Sequence, residues 1–391
     1  MAYILGADIG TTNVKAVAFN LKGEILADHS EEYPMIHPKP GWSEQDPEEI
    51  VRSLEYCIQS VVKKCRGEGE ALGLCFSAAM HSVIALDAEG KPLTNSIIWA
   101  DNRSADLANA LKETREGRKM YKTNGTPIHA MSPLCKLLWL RENEPKLFKK
   151  AARFVGIKEY VFFKLAGEYL VDYSIASATG LFNIEKFAWD EYTLNYLDLT
   201  ADRFSEPVSP YHMVNLPEDN SLGLPAGTPL VLGASDGCLA NLGSGAIVPG
   251  TMAVTIGTSG AVRISSPKPF ADEEMRTFCY ILDKETYVIG GATNNGAVVF
   301  EWLKDHFFDE ISYDDIFKEA ADIPLGSDGL LCLPYLLGER APLWNSEVRG
   351  GLVGLSTRHT PMHFVRAVME GTLLNLFSIG KVLLETQKVK A

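Results

Sequence analysis

The sequence predicts an α/β protein built from two related domains, and two observations carry that prediction. The first is a recurring hairpin plan. Near the start, Tyr3–Asp8 is a short apolar run ending on a carboxylate, Ile9-Gly10-Thr11-Thr12-Asn13 is turn chemistry, and Val14–Phe19 resumes the apolar run. Met252–Ile264 repeats it, with Gly257-Thr258-Ser259-Gly260 between two apolar strands. The second observation is element order: three strands first, then helices and strands in alternation, which favours a mixed sheet. A repeated unit in the two parts of one chain sets the architecture before any finer reading does.

Length and composition agree with this. A chain of 391 residues, 46% hydrophobic and 22% charged, has core enough for two or more domains. The net charge of −13, with no tract rich in Lys or Arg, argues against nucleic acid and against an anionic membrane surface as partners. Seven scattered cysteines without a Cys-x-x-Cys pair read as reduced thiols of a cytoplasmic protein. The chain enters a strand at once, so no signal peptide is expected, and no run reaches the length of a membrane span.

In each hairpin turn, small residues and glycine leave room for backbone N–H groups to converge on an anion such as phosphate. Asp8, at a strand end, is suited to hold a divalent cation through water, and Lys15 to add a point charge. An ordinary hairpin with an exposed acid explains the first stretch equally well.

A third strand follows at Glu24–His29. Asp46, Pro47, Glu48 and Glu49 then supply an N-cap, a first-turn proline and dipole-compensating acids for a helix running to about Cys65. Leu72–Ser77 reads as a buried strand turning back through Val83–Asp87, and Ile97–Trp99 as another strand, with helices near 104–115 and 133–142. Open α/β sheets bind ligands just past strand ends, and Met80, His81, Trp99, Asp101 and Arg103 all fall at such positions. A structural histidine, a core tryptophan and a capping aspartate remain the plainer alternatives. Leu230–Gly233 reads as a buried strand that delivers Asp236 to the start of a small-residue helix, where it can cap the helix, face a ligand, or do both. Gly291–Gly296, with Asn294 and Asn295, is a small polar loop fit for phosphate or sugar hydroxyls, and His363–Thr386 is a long amphipathic helix. His359 and His363 have metal-ligand spacing, but Pro361 sets His359 ahead of that helix.

At this point the chain resembles the FGGY carbohydrate kinases. Met131-Ser-Pro133-Leu-Cys-Lys136-Leu-Leu-Trp139-Leu-Arg-Glu-Asn143 looks like that family's first signature. Gly350-Gly-Leu-Val-Gly354-Leu355, seven residues, then His363-Phe-Val-Arg-Ala367-Val-Met-Glu370 looks like its second. The hairpin plan itself is that of the wider actin, hexokinase and Hsp70 superfamily. The resemblance implies two actin-like (ribonuclease H-like) ATPase domains facing a central cleft, residues 1–245 for sugar and phosphate and 246–391 for nucleotide. It implies ATP and Mg²⁺ as cofactors and a small sugar or sugar acid as substrate. Asp236 matches the catalytic base and also touches substrate, and Asp8 matches the acid that positions Mg²⁺. Thr11, Thr12, Lys15, Gly257, Thr258, Ser259 and Gly296 would lie along the phosphates. Met80 and His81 match the sugar-binding pair of xylulokinase-like members, with Trp99, Asp101, Arg103 and Asn295 completing the substrate set. The stretches 99–103 and 290–296 look most like the gluconate kinases, which makes Arg103 the candidate partner of a substrate carboxylate. A pentulose kinase is the alternative within the class, and a non-catalytic sugar or nucleotide sensor is the alternative outside it. Oligomeric state is not legible; a homodimer is compatible with the composition. Family members continue past the long helix into a Gly-Gly segment that helps hold adenine. This chain ends at Ala391, before it, so the second domain is expected to be incomplete and to hold adenine weakly.

Overall fold

The structure is a computed structural model and describes residues 2–248 and 250–387. The chain end at 388–391, on which an expectation above falls, lies outside the described residues. The chain divides into two compact units. One comprises 1–243, 267–271 and 279–288, and the other 244–266, 272–278 and 289–391.

The first unit is organised on a six-stranded sheet. Its order is Met213–Asn215, Pro229–Ser235, Glu70–Ala78, Ala2–Ile9, Asn13–Asn20 and Ile25–Glu32. The three strands that end on expected site residues are neighbours, and 229–235 and 2–9 both run parallel to 70–78. Strand 2–9 alternates cleanly. Tyr3, Leu5, Ala7 and Ile9 are buried, while Asp8 lies opposite Lys15 on the other face of the sheet. Helix Pro47–Lys64 packs on the first three strands. Asp46 caps it by accepting from the N–H of Glu48 at 2.9 Å, and Ile50, Val51, Leu54, Cys57, Ile58 and Val61 form its buried stripe. Each such side chain contributes about 1.5–3 kcal/mol on full burial. All seven cysteines are free thiols, and six of them are buried.

Two strand expectations are corrected. Ile97–Trp99 does not enter the sheet: only Ser96–Ile97 is strand, and it pairs with Glu44–Gln45. The return through Val83–Asp87 does not pair with 70–78 either, because Ile84–Leu86 runs antiparallel to Arg153–Val155.

In the second unit, Met252–Ile256 and Gly260–Ser266 form the expected hairpin, with Ile256 opposite Gly260, and Tyr287–Thr293 lies beside 260–266. Helix Pro361–Gln387 packs on strands 260–266 and 331–333 and on helices 298–307 and 313–321. By length and composition it could cross a membrane, which corrects the expectation that no run reaches that length. Within the fold, 56% of its most apolar stretch is buried, although Leu373, Leu374 and Phe377 are exposed.

Candidate active site

Three parallel strands of the first unit end side by side and set out the site. Strand 2–9 carries Asp8 one residue before its end, strand 70–78 leads into Met80-His81, and strand 229–235 leads into Asp236. Asp8 is in register with Ser77, and Ser235 with Ala78. Two inter-strand spacings therefore separate the backbones of the two acids, roughly 10 Å.

Asp236 is exposed at the first position of helix Asp236–Gly243, and its Oδ1 accepts from the N–H of Gly237 at 2.6 Å. The strand that delivers it carries a register shift between Val231 and Ala234. Gly233 makes that shift feasible. Its φ is +65°, and a Cβ there would sit 2.0 Å from the carbonyl oxygen of Phe76. Such a bulge re-aims the residues that follow it. Behind it, the ammonium of Lys158 donates to Asp172 at 2.9 Å and to the carbonyl of Ala234 at 3.1 Å. Ser174 Oγ accepts from the N–H of Ser235 and pairs with its hydroxyl at 2.7 Å. The strand end that carries Asp236 is thus fixed by buried polar groups.

At the first turn, Gly10 N–H donates to the carbonyl of Asn13 at 3.0 Å. Tyr33 donates its hydroxyl to the carbonyl of Gly10, Gln45 its amide to that of Thr11, and Trp99 its indole N–H to Thr11 Oγ1 at 2.8 Å. Burial, and secondarily the charge of Asp8, push the Tyr33 phenol well above its ordinary pKa. Thr12 is exposed, and Lys15 pairs with Asp28 at 3.3 Å on the exposed sheet face. Asp8 Oδ1 is shielded from solvent and has no hydrogen-bond partner within the protein. A buried carboxylate oxygen left in that state suits a cation. Among the described residues no group of three or more His, Cys, Asp or Glu is placed to hold a metal. A single carboxylate fits Mg²⁺, which keeps several waters and binds through one or two carboxylates plus phosphates.

At the second turn, the structure brings Gly257, Thr258, Ser259 and Gly296 together. The N–H of Gly296 donates to Thr258 at 3.2 Å and that of Ala297 to Gly257 at 2.8 Å. A Cβ at Gly296 would lie 2.5 Å from the carbonyl oxygens of both Gly257 and Ser259, so only glycine fits. Gly257 and Thr258 are exposed.

Three expected substrate residues are found inside the protein instead. Asp101 is fully buried. Its carboxylate accepts from the N–H groups of Ser43 and Arg103 and from the Arg103 guanidinium. Arg103 also pairs with Glu44 and stacks over Trp42 at 3.7 Å, with its side chain 4% exposed. Asn295 is fully buried. Its amide donates to Gly338 and Glu339 and accepts from the N–H of Leu337. The polar atoms of Asp101 and Asn295 are thus engaged within the protein, and Arg103 is already held by two carboxylates.

Met80, half-buried, and His81, buried, follow directly on strand 70–78. His81 has φ +72°, its Nδ1 lies 2.8 Å from the carbonyl of Ala178, and its Nε2 lies 3.4 Å from the hydroxyl of Tyr280. A carbonyl only accepts, so Nδ1 carries a proton, and Nε2 faces the Tyr280 hydroxyl. Tyr280, Tyr33, Gln45, Lys136 and Lys158 were not singled out as site residues from sequence. Lys136 had a usable signal, since it is the only charge within the apolar stretch from Pro133 to Leu140.

Comparison with known proteins agrees with this geometry. Residues 3–243 match the model of the N-terminal domain of the FGGY family of carbohydrate kinases, and residues 252–390 that of its C-terminal domain. The chain belongs to the FGGY family of carbohydrate kinases, whose members have two actin-like ATPase domains, and it is an ATP-dependent sugar kinase. It is 44% identical to the gluconokinase of Bacillus subtilis (strain 168), over 98% of this chain and 77% of that protein. It is also similar to the crystal structure of gluconate kinase from Lactobacillus acidophilus. The TM-score is 0.94 at 35% identity, over 98% of this chain and 78% of that one. Xylulose kinase from the same organism gives a TM-score of 0.93 at 36% identity with the same coverage.

Proposed function

We propose that the protein transfers the γ-phosphoryl group of ATP to a terminal hydroxyl of D-gluconate, giving 6-phospho-D-gluconate. The observation that carries the choice of sugar is the 44% identity to a gluconokinase across nearly the whole chain. The geometry supports the chemistry. Phosphoryl transfer depends on positioning and charge neutralisation more than on covalent catalysis. Asp236, exposed on a braced strand end, accepts the proton of the attacking hydroxyl as general base. Asp8 would hold Mg²⁺, which when bound neutralises phosphate charge. Thr11 and Thr12 at one turn, and Gly257, Thr258, Ser259 and Gly296 at the other, offer small residues and backbone groups to phosphate oxygens. His81, whose Nε2 lies 3.4 Å from the Tyr280 hydroxyl, meets the sugar together with that hydroxyl, beside Met80 and Trp99.

The identity of the sugar is tested by measuring ADP release from ATP and Mg²⁺ against D-gluconate, D-xylulose and uncharged polyols, with the product identified by mass. The largest kcat/KM is expected with D-gluconate. A preference for D-xylulose would make the protein a pentulose kinase, as its likeness to a xylulose kinase structure allows. Tight sugar binding without sugar-dependent turnover would make it a sensor.

A further inference from the structure

The first signature segment contains a charged residue that the mechanism above does not use. Helix Pro133–Asn143 is buried from Pro133 through Leu138, and Lys136 is among the largest fully buried side chains of the protein. Its ammonium donates to two backbone carbonyls, those of His81 and Met131, each at 2.6 Å. Those contacts join the start of the helix to the residue that follows strand 70–78. His81 needs such a hold. It is not glycine, yet its φ of +72° lies in the left-handed region that side chains rarely adopt, and such backbones persist only where their surroundings over-determine them. The carbonyl gripped by Lys136 belongs to the residue in that conformation. The ring is fixed separately, through Nδ1 on Ala178 and an edge-on approach to Tyr280 at 5.8 Å between centroids.

We propose that Lys136 is a positioning residue for the sugar side of the reaction, clamping the His81 carbonyl so that the left-handed backbone holds the imidazole, with the Tyr280 hydroxyl at its Nε2, beside the sugar. The proposal rests on the reading that His81 contacts the sugar. Burial, partly offset by Asp101, lowers the Lys136 pKa to about 7. The clamp tolerates either state, since a neutral amine still has two N–H groups for two carbonyls.

The experiment uses the full chain and compares Lys136→Met, His81→Ala and the double variant, with D-gluconate, or D-xylulose if that is the sugar turned over. Lys136→Met is expected to raise the sugar KM about 10- to 100-fold while leaving the ATP KM within about twofold. The double variant is expected to be no worse than His81→Ala alone, because Lys136 acts through His81. Effects that multiply, or sugar and ATP KM values that rise together, would overturn the proposal. The second readout is the imidazole ¹⁵N spectrum of His81, expected to show Nδ1–H in the unmodified protein and a shifted signal in Lys136→Met. An unshifted signal overturns the clamp whatever the kinetics. If His81→Ala leaves the sugar KM unchanged, the sugar-contact reading fails while the spectrum still decides the clamp. Lys136→Gln repeats the test if the methionine variant does not fold. Failure of both to fold would make Lys136 a fold residue and end the proposal.

Discussion

The two glycine turns share a hairpin plan and differ in what holds them. The turn at 10–13 is held by side chains from far along the sequence, namely Tyr33, Gln45 and Trp99, and it follows a carboxylate with one unsatisfied oxygen. The turn at 257–259 carries no acid and is pinned by backbone N–H groups of the segment at Gly296. On the assignment proposed above, the same local sequence chemistry would serve two jobs. The turn braced by distant side chains would place a cation, and the turn pinned by close backbone packing would offer shape and N–H groups to phosphate.

The largest expected effect tests whether the chemistry belongs to the strand layer that contains the first turn. Asp236→Asn keeps the shape of the side chain and removes its basicity, so kcat should fall about 10²- to 10⁴-fold with the sugar KM changed far less. Near-normal turnover would remove Asp236 from the mechanism. Next, Gly296→Ala puts a methyl group 2.5 Å from two backbone oxygens of the second turn. The ATP KM should rise about 10- to 100-fold, as displacements near 1 Å do, with the sugar KM unaffected. An unchanged ATP KM would show that the second turn does not touch phosphate.

Arg103→Met asks whether the buried cluster near the first turn is structural. It strips Asp101 and Glu44 of their shared cation, and breaking a buried pair costs about 3–5 kcal/mol. Denaturant titration should show a loss of that order, and turnover of D-gluconate and of an uncharged sugar should suffer equally. A selective loss on D-gluconate would restore Arg103 as the partner of a substrate carboxylate. The smallest effect concerns Glu159. Burial raises its pKa to about 7 from 4.5, and it accepts from the N–H of Gly156. Between those values the native state holds more protons than the unfolded chain, so stability falls as pH rises through the window. The slope is at most about 1.4 kcal/mol per pH unit. Glu159→Gln should flatten it between pH 5 and 7, and an unchanged slope would place the titration elsewhere.

What the sequence disclosed was local. Both hairpins, the Asp46 cap and the strand-to-helix junction at Asp236 follow from neighbouring residues, and the structure has all of them. What it concealed was long-range satisfaction of buried polar groups. Asn295 has the look of a ligand residue in a glycine-rich polar loop, but its amide serves Leu337, Gly338 and Glu339, more than forty positions away. Asp101 and Arg103 stand past an apolar run, yet Ile97 pairs with Glu44 outside the main sheet, which buries the acid and the base against Ser43 and Trp42. Sequence alone does not separate a polar residue that meets a ligand from one that meets a backbone carbonyl, because both demand the same side chain.

The division between the turns is tested most directly by Mg²⁺ titration of sugar-dependent ATP turnover in Asp8→Asn beside Ser259→Ala. A neutral amide is a poorer partner for a hydrated cation. Asp8→Asn should therefore need about 10-fold more Mg²⁺ for half-maximal rate and recover activity at high Mg²⁺, whereas Ser259→Ala should raise the ATP KM and leave the Mg²⁺ midpoint in place. An unchanged midpoint in Asp8→Asn, or an equal shift in both variants, would contradict the assignment of the cation to the first turn.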